Sequence, residues 1–167
     1  MSDMQTPPAG TSHPLSFRYA QTAKELSRAS RLIKRGFASL GSDQGKQGRT
    51  AFNALLRQAV STARIFPGYF VFICAYTGKR LSGVCVCTDA HISMLFVDKK
   101  YRRSGIGQAL VARARLYALT LGYKKITVNS TPSAAEFYRK AGFKDMSGIL
   151  SRNGIRFIAM EGSALNE

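Results

Sequence analysis

The chain has 167 residues, 45% of them hydrophobic and 20% charged, proportions that suit one globular domain with a real core. Lys and Arg number 25 against 9 Asp and Glu, a formal charge of +16. A field of that sign draws polyanions such as a phosphorylated cofactor, nucleic acid, a ribosome or an acidic membrane, or it serves solubility alone. The basic residues are spread along the chain, which does not favour a dedicated nucleic-acid surface. The first residues lack the apolar segment of a secretory signal, and the longest apolar run, residues 69–76, is too short to span a bilayer. Cys74, Cys85 and Cys87 lie in strand-like apolar runs, and one C-x-C without nearby histidines is not a zinc site. Buried free thiols in a reducing cytoplasm are expected.

Residues 1–14 hold Pro7, Pro8, Gly10 and Pro14 among small polar residues and read as a disordered tail. Residues 15–167 read as a single domain. A short strand is expected over 15–20. A helix follows over 22–37, with Leu26, Ala29, Ile33 and Phe37 on one stripe. Residues 41–49 read as a loop. Its GSDQGKQ resembles a nucleotide-binding P-loop, but the glycine spacing is one residue short and Gln47 stands where Ser or Thr is needed. A second helix is expected over 50–66, with Phe52, Leu55, Leu56, Ala59 and Ala63 periodic, ended by Pro67-Gly68. Strands over 69–76 and 81–88 make a hairpin.

The most informative stretch is 91–121. Residues 91–97 alternate as a strand, 98–104 cannot continue it, and a helix begins at Gly105. Ile106, Leu110, Ala114, Ala118 and Leu121 share one face, while Arg113 and Arg115 sit away from it. The first amides of a helix have no internal partners, and the helix dipole is positive there. Two glycines keep side chains away from those amides, and Arg102 and Arg103 add charge and donors. The stretch Arg102-Arg103-Ser104-Gly105-Ile106-Gly107 therefore reads as a phosphate-cradling turn, with an ordinary tight turn as the alternative. A strand is expected over 124–129. A helix to about Lys140 then starts at Pro132, capped by Thr131 or Ser130. Two last strands, near 148–151 and 155–160, flank Asn153-Gly154, a hairpin signal. The order β-α-α-β-β-β-α-β-α-β-β describes a mixed sheet with helices on its faces.

Residues 70–160 resemble the GNAT family of acetyl-coenzyme-A-dependent N-acetyltransferases. The carrying motifs are HISMLFV followed by YRRSGIGQALV, then ITVNS, then AAEFYRKAGF. The resemblance implies an α/β fold of the α+β type, a mixed, mostly antiparallel sheet of about six to seven strands flanked by about four helices. It implies that coenzyme A pyrophosphate sits on Arg102, Arg103, Ser104, Gly105, Ile106, Gly107 and Gln108, largely on backbone amides. The pantetheine arm would lie along Leu95, Phe96 and Val97, where a family bulge splays this strand from the next. The family position seven before Tyr138, often Asn, is Thr131 here, and Asn129 is the candidate for that contact. Acetyl transfer needs a neutral amine, a stabilised oxyanion and a protonated leaving thiolate. The family position for the base falls on His91, with Ser93 on the same face to hold a relay water or orient substrate. Asp89 is the fallback base, and a capping or core role for His91 is the alternative. Tyr138 matches the family tyrosine that protonates the thiolate; a core aromatic is the alternative, and Phe137 beside it reads as core. Arg139 and Lys140 read as a solvated face rather than phosphate contacts.

The implied activity is transfer of an acetyl group from acetyl-coenzyme A to a primary amine by direct attack in a ternary complex, with no metal. Two alternatives stand beside it: a catalytically silent coenzyme-A-binding module, and an acetyltransferase acting on an RNA- or ribosome-associated amine. No membrane partner is expected, and either a monomer or a homodimer fits.

Overall fold

The computed structural model describes residues 13–40 and 44–165. Most of the expected tail, and the loop tip at 41–43, lie outside these residues. Seven strands form one sheet: β1 (Leu15–Tyr19), β2 (Val71–Thr77), β3 (Arg80–Thr88), β4 (His91–Val97), β5 (Lys125–Ser130), β6 (Lys144–Arg152) and β7 (Ile155–Ser163). Their order is β1-β2-β3-β4-β5-β7-β6, and among these neighbours the β4–β5 pair alone is parallel. Four α-helices cover the faces: α1 (Ala23–Ala38), α2 (Lys46–Ile65), α3 (Ile106–Thr120) and α4 (Ala135–Lys140). This is the architecture that the family resemblance implies.

Side-chain alternation in the central strands builds two cores, one on each face. On one face Ile73, Cys85, Cys87, Ile126 and Val128 meet Ile106, Leu110 and Ala114 of α3 and Tyr138 of α4. On the other Phe72, Cys74, Val84 and Val86 meet Leu26, Ile33 and Phe37 of α1 and Phe52, Leu56 and Ala59 of α2. The three cysteines are free and buried as expected. Burial pushes the Cys74 thiol up to about 12 and holds Cys85 well above its usual value, where a hydrogen bond with Cys87 contributes most.

Helix α1 begins as its sequence dictates. Thr22 Oγ1 accepts from Glu25 N at 3.2 Å, and Glu25 Oε2 accepts from Thr22 N at 3.0 Å, a capping box. Helix α2 begins at Lys46, four residues before the expected start at residue 50. Gln44 is buried beneath that start, its Oε1 accepting from Arg156 N of β7 at 3.4 Å. Gly48 in the first turn lies against the β6–β7 turn: a Cβ there would stand 2.5 Å from Gly154 O. Tertiary contact thus fixes a helical turn that Gly45 and Gly48 conceal in the sequence.

Other boundaries shift for similar reasons. Neither Thr131 nor Ser130 caps the segment after β5 with its side chain; Pro132–Ala134 forms a 3-10 turn and α4 is short. Leu121 falls beyond α3 and is 46% exposed, off the stripe assigned to it. β6 and β7 are longer than expected, with a bulge between Asp145 and Ile149 of β6, and the far end of β7 pairs with β5 up to Ser163. Asn153 and Gly154, with φ of 52° and 77°, make the two-residue turn that the sequence announces. Arg139 is exposed, as a solvated face requires, and donates to Asp145 Oδ1 at 3.0 Å and Oδ2 at 2.7 Å, tying α4 to β6. Arg113 lies over the Phe17 ring, and Arg115 donates to the Ala141 carbonyl beside Phe143.

Gly48 sets helix propensity against packing. Ala there would gain up to about 1 kcal/mol of propensity, but its Cβ would meet backbone, which yields little. Gly48→Ala is therefore expected to lower stability by about 1–3 kcal/mol, the cost of overpacking, in a denaturant titration. A raised midpoint would contradict the packing between α2 and the last hairpin.

Candidate active site

The site begins at an irregularity in β4. Opposite the step from Val86 to Cys87 on β3, β4 spends Met94 and Ile92, leaving Ser93 as an extra residue. Such a bulge bends its strand and changes which face later side chains meet. Ile92 belongs to the α3 core, yet Met94, two residues on, belongs to the α1/α2 core. After the bulge Leu95 and Val97 pack on the α3 side and Phe96 on the α1/α2 side. β4 pairs with β5 only at His91↔Thr127 and Ile92↔Val128. Beyond those pairs β4 continues to Val97 and β5 to Ser130 without pairing to each other. The result is a sheet opening at the C-terminal ends of two parallel strands, with strand edges facing into it.

Phe96 is clamped edge-on by Phe52 at 5.9 Å and Phe37 at 6.5 Å between ring centres. Gly36 makes this possible, since a Cβ there would lie 2.5 Å from the Phe96 ring. Asp98 N donates to Ser82 O at 2.9 Å and fixes where β4 ends.

The turn after β4 is a chain of local hydrogen bonds. The Asp98 side chain accepts from Lys100 N at 3.0 Å and starts a single 3-10 turn, Lys99–Tyr101. The Ser104 hydroxyl donates to the Tyr101 carbonyl. Arg103 and Gly105 have φ of 62° and 83°, the left-handed region that favours glycine. Within α3 the Ala109 amide bonds to Gly105 O at 3.0 Å. The amides of Ile106, Gly107 and Gln108 precede it and have no carbonyl within the helix to bond.

The side chains of this turn divide. Ile106 is fully buried, so its amide alone is available. Arg102 folds back, donating to Ser39 Oγ at 3.0 Å and to Val97 O at 3.3 Å. Arg103 and Gln108 are exposed. Gly107 has a reason the sequence did not reveal: a Cβ there would meet the Phe137 ring at 3.0 Å, so glycine lets α4 pack on α3.

On the α1/α2 face of the opening lies a row of polar groups. His91 Nδ1 and Thr127 Oγ1 share a hydrogen bond of 2.8 Å. Burial lowers the His91 pKa, so the ring is neutral at neutral pH. Ser93 Oγ and Thr88 Oγ1 lie 3.1 Å apart. Asn129 is exposed on β5, past the last pairing with β4, while Thr131 Oγ1 is engaged with Ser133 Oγ at 3.2 Å. Asp89 is exposed in the turn before His91, with φ of 50°. Thr127 escaped the reading of the sequence, although the alternation of ITVN places it on the polar face beside Asn129.

Tyr138 lies on the opposite face. It is 5% exposed, and burial, with the Cys85 and Cys87 thiols near it, pushes its phenol far above the ordinary value. Its ring meets Phe137 at 5.0 Å and Phe143 at 5.5 Å, both edge-on. Phe137, expected to be the core residue of the pair, is only half-buried, and Tyr138 takes the core position.

A shallow, open groove of about 640 Å³ lies between α2 and the last hairpin, lined by Lys46, Gln47, Thr50, Ala51, Ala54 and Asn153. Ser130, the end of β5, pairs with Ile158 of β7, so the Asn153-Gly154 turn projects past the open end of β5. Reading 41–49 as loop hid the wall supplied by the first turn of α2. Among the described residues no group of His, Cys, Asp and Glu is arranged to hold a metal, and no helix is long and apolar enough to cross a membrane.

Comparison with known proteins agrees with this geometry. Residues 37–164 match the family model described as an acetyltransferase (GNAT) domain. No curated protein matches the chain. Among solved structures, a GCN5-related N-acetyltransferase from Rhodopseudomonas palustris superposes with a TM-score of 0.74 at 21% identity, over 98% of this chain and 99% of that one. The PaiA N-acetyltransferase of Thermoplasma acidophilum, solved with coenzyme A, gives 0.64 at 17% identity, over 89% and 99%. A spermidine N-acetyltransferase SpeG variant from Vibrio cholerae gives 0.62 at 16% identity, over 90% and 94%. At such identities the superpositions speak for the fold, and the family match for the lineage. The chain belongs to the GNAT acetyltransferase family and is an acyltransferase.

Proposed function

We propose that the protein moves an acetyl group from acetyl-coenzyme A to a primary amine by direct attack in a ternary complex, in the cytoplasm. The observation that carries this reading is the opening between β4 and β5 beside a helix start with three unpartnered amides. Coenzyme A offers what such a site can use: a pyrophosphate for the turn and an amide-bearing arm for a strand edge. Ser104 to Gln108, with Arg102 and Arg103, hold the pyrophosphate, mainly through the amides of Ile106, Gly107 and Gln108. Leu95, Phe96 and Val97 line the arm from β4, and Asn129 faces it from β5. The amide near Phe96 polarises the acetyl carbonyl.

The proton steps use both faces of the sheet. An attacking amine must lose a proton, and His91 supplies a neutral imidazole oriented by Thr127. Ser93 positions a water or the amine beside it. The departing sulfur must gain a proton, and Tyr138 is a phenol held in its protonated form from the other face. Desolvation that raises a phenol also raises a thiolate in the same cleft, which keeps the transfer between them feasible. The depth of Tyr138 also suits a second reading, a coenzyme-A-binding module without turnover.

Tyr138→Phe keeps the ring and removes the hydroxyl. Under the acid role, kcat falls by roughly 100-fold or more, while coenzyme A affinity by titration is unchanged. An unchanged rate, with chemistry limiting, removes Tyr138 as the acid. Coenzyme A binding by the wild type, with no turnover across amines, amino acids, polyamines and protein N-termini, favours the silent module.

The lowered His91 pKa places a limb in kcat/KM below about 6.5, rising with pH as the imidazole sheds its proton. His91→Gln is expected to flatten that limb in a pH–rate profile. A limb that survives assigns the proton to Asp89, to water or to an already neutral amine.

A further inference from the structure

Away from the β4–β5 opening, the described residues hold a second concave surface, between α1 and the β2–β3 hairpin. It is an open groove of about 320 Å³ over a floor of Leu32, Tyr76 and Leu81. Its rim is cationic. Arg28, Arg31 and Arg35 come from α1 and Lys79 from the hairpin turn, and among the described residues no carboxylate lines it. Arg18 of β1 extends the patch, its guanidinium 4.5 Å above the Tyr76 ring.

The helix places these charges against each other. Residues 28 and 31 are three apart and 31 and 35 four apart, spacings at which like charges repel. Little among the described residues offsets this. Glu25, the one carboxylate on α1, is held in the capping box, and Asp98 reaches Arg35 alone, at 3.8 Å. All four rim side chains are exposed.

Spacing and donor type indicate what would satisfy such a row. From Arg28 to Arg35 the helix rises about 10 Å, longer than a single phosphate group and suited to successive phosphates of a nucleic-acid strand. A single small anion would engage one or two of the four cations. Three arginines supply planar donor forks suited to phosphate oxygens. The surrounding charge of +16 adds a field that draws a long polyanion. We propose that this groove binds the phosphodiester backbone of a nucleic acid. The groove runs over β2 and β3, on the far side of β4 from the β5 opening, so the proposal stands apart from acetyl transfer.

The test is fluorescence anisotropy of a labelled 20-nucleotide RNA, and of a DNA duplex of equal length, across a salt series with the full chain. The groove variant is Arg28→Gln/Arg31→Gln/Lys79→Gln. A control of equal charge, Arg57→Gln/Arg64→Gln/Lys144→Gln, removes three exposed cations elsewhere. Wild type is expected to bind one or both probes, and the stronger probe identifies the nucleic acid. The groove variant is expected to lose at least tenfold in affinity and to flatten the log K against log salt slope by about 2 on single strands. The control is expected to keep most of that slope, and circular dichroism to show both variants folded. Equal losses in the two variants would make the effect a diffuse field and overturn the proposal. So would an absence of wild-type binding at low salt, or displacement of the probe by poly-glutamate or inorganic phosphate as readily as by unlabelled oligonucleotide.

Discussion

The extra residue at Ser93 is the constraint on which the rest of the site depends. Without it, β4 would keep one alternation from His91 to Val97 and could pair with β5 along its length. With it, Ile92 and Met94 enter different cores, and the strands separate after two pairs. Phe96 then fills the space under α1 and α2, while Leu95 and Val97 meet α3. Gly36 and Gly107 are the complements on the helices: one admits the Phe96 ring, the other lets Phe137 rest on the start of α3. An opening inside a sheet is costly, because strand edges go unpaired in a partly dry setting. Such a cost persists where a ligand completes the pairing.

The same opening joins two faces with different electrostatics. His91 and Thr127 lie on the α1/α2 face, Tyr138 among apolar side chains on the other. Burial pushes both groups toward their neutral forms, the imidazole by lowering its pKa and the phenol by raising it. A neutral imidazole accepts a proton and a neutral phenol donates one. In the proposed transfer, one physical effect, desolvation, would thereby suit the two groups to opposite proton roles.

Much of the fold was legible because it is written locally. The stripe of α1, the Asn153-Gly154 turn and the strand–turn–helix from His91 all follow from short-range chemistry. What was not legible is set by distant partners. The first turn of α2 is helical because Gln44 and Gly48 fit against β7 and the last hairpin. Gly107 looks like a phosphate glycine and is also a packing glycine, which only the position of Phe137 reveals. Tyr138 enters the core while Phe137 stays half-buried over the start of α3, a contact that only the packing of α4 on α3 decides. The bulge at Ser93 leaves no mark on HISMLFV, since an inserted residue still alternates on either side of itself.

Every role proposed for the site requires coenzyme A to meet the start of α3 and the open edge of β4. Amide chemical shifts of the 15N-labelled protein, followed as coenzyme A is added, test this directly. The largest changes are expected at Gly105 to Gln108 and at Leu95 to Val97, with small ones along α1 at Arg28 and Arg31. Saturable changes centred elsewhere, with the amides of Ile106, Gly107 and Gln108 unmoved, would contradict it.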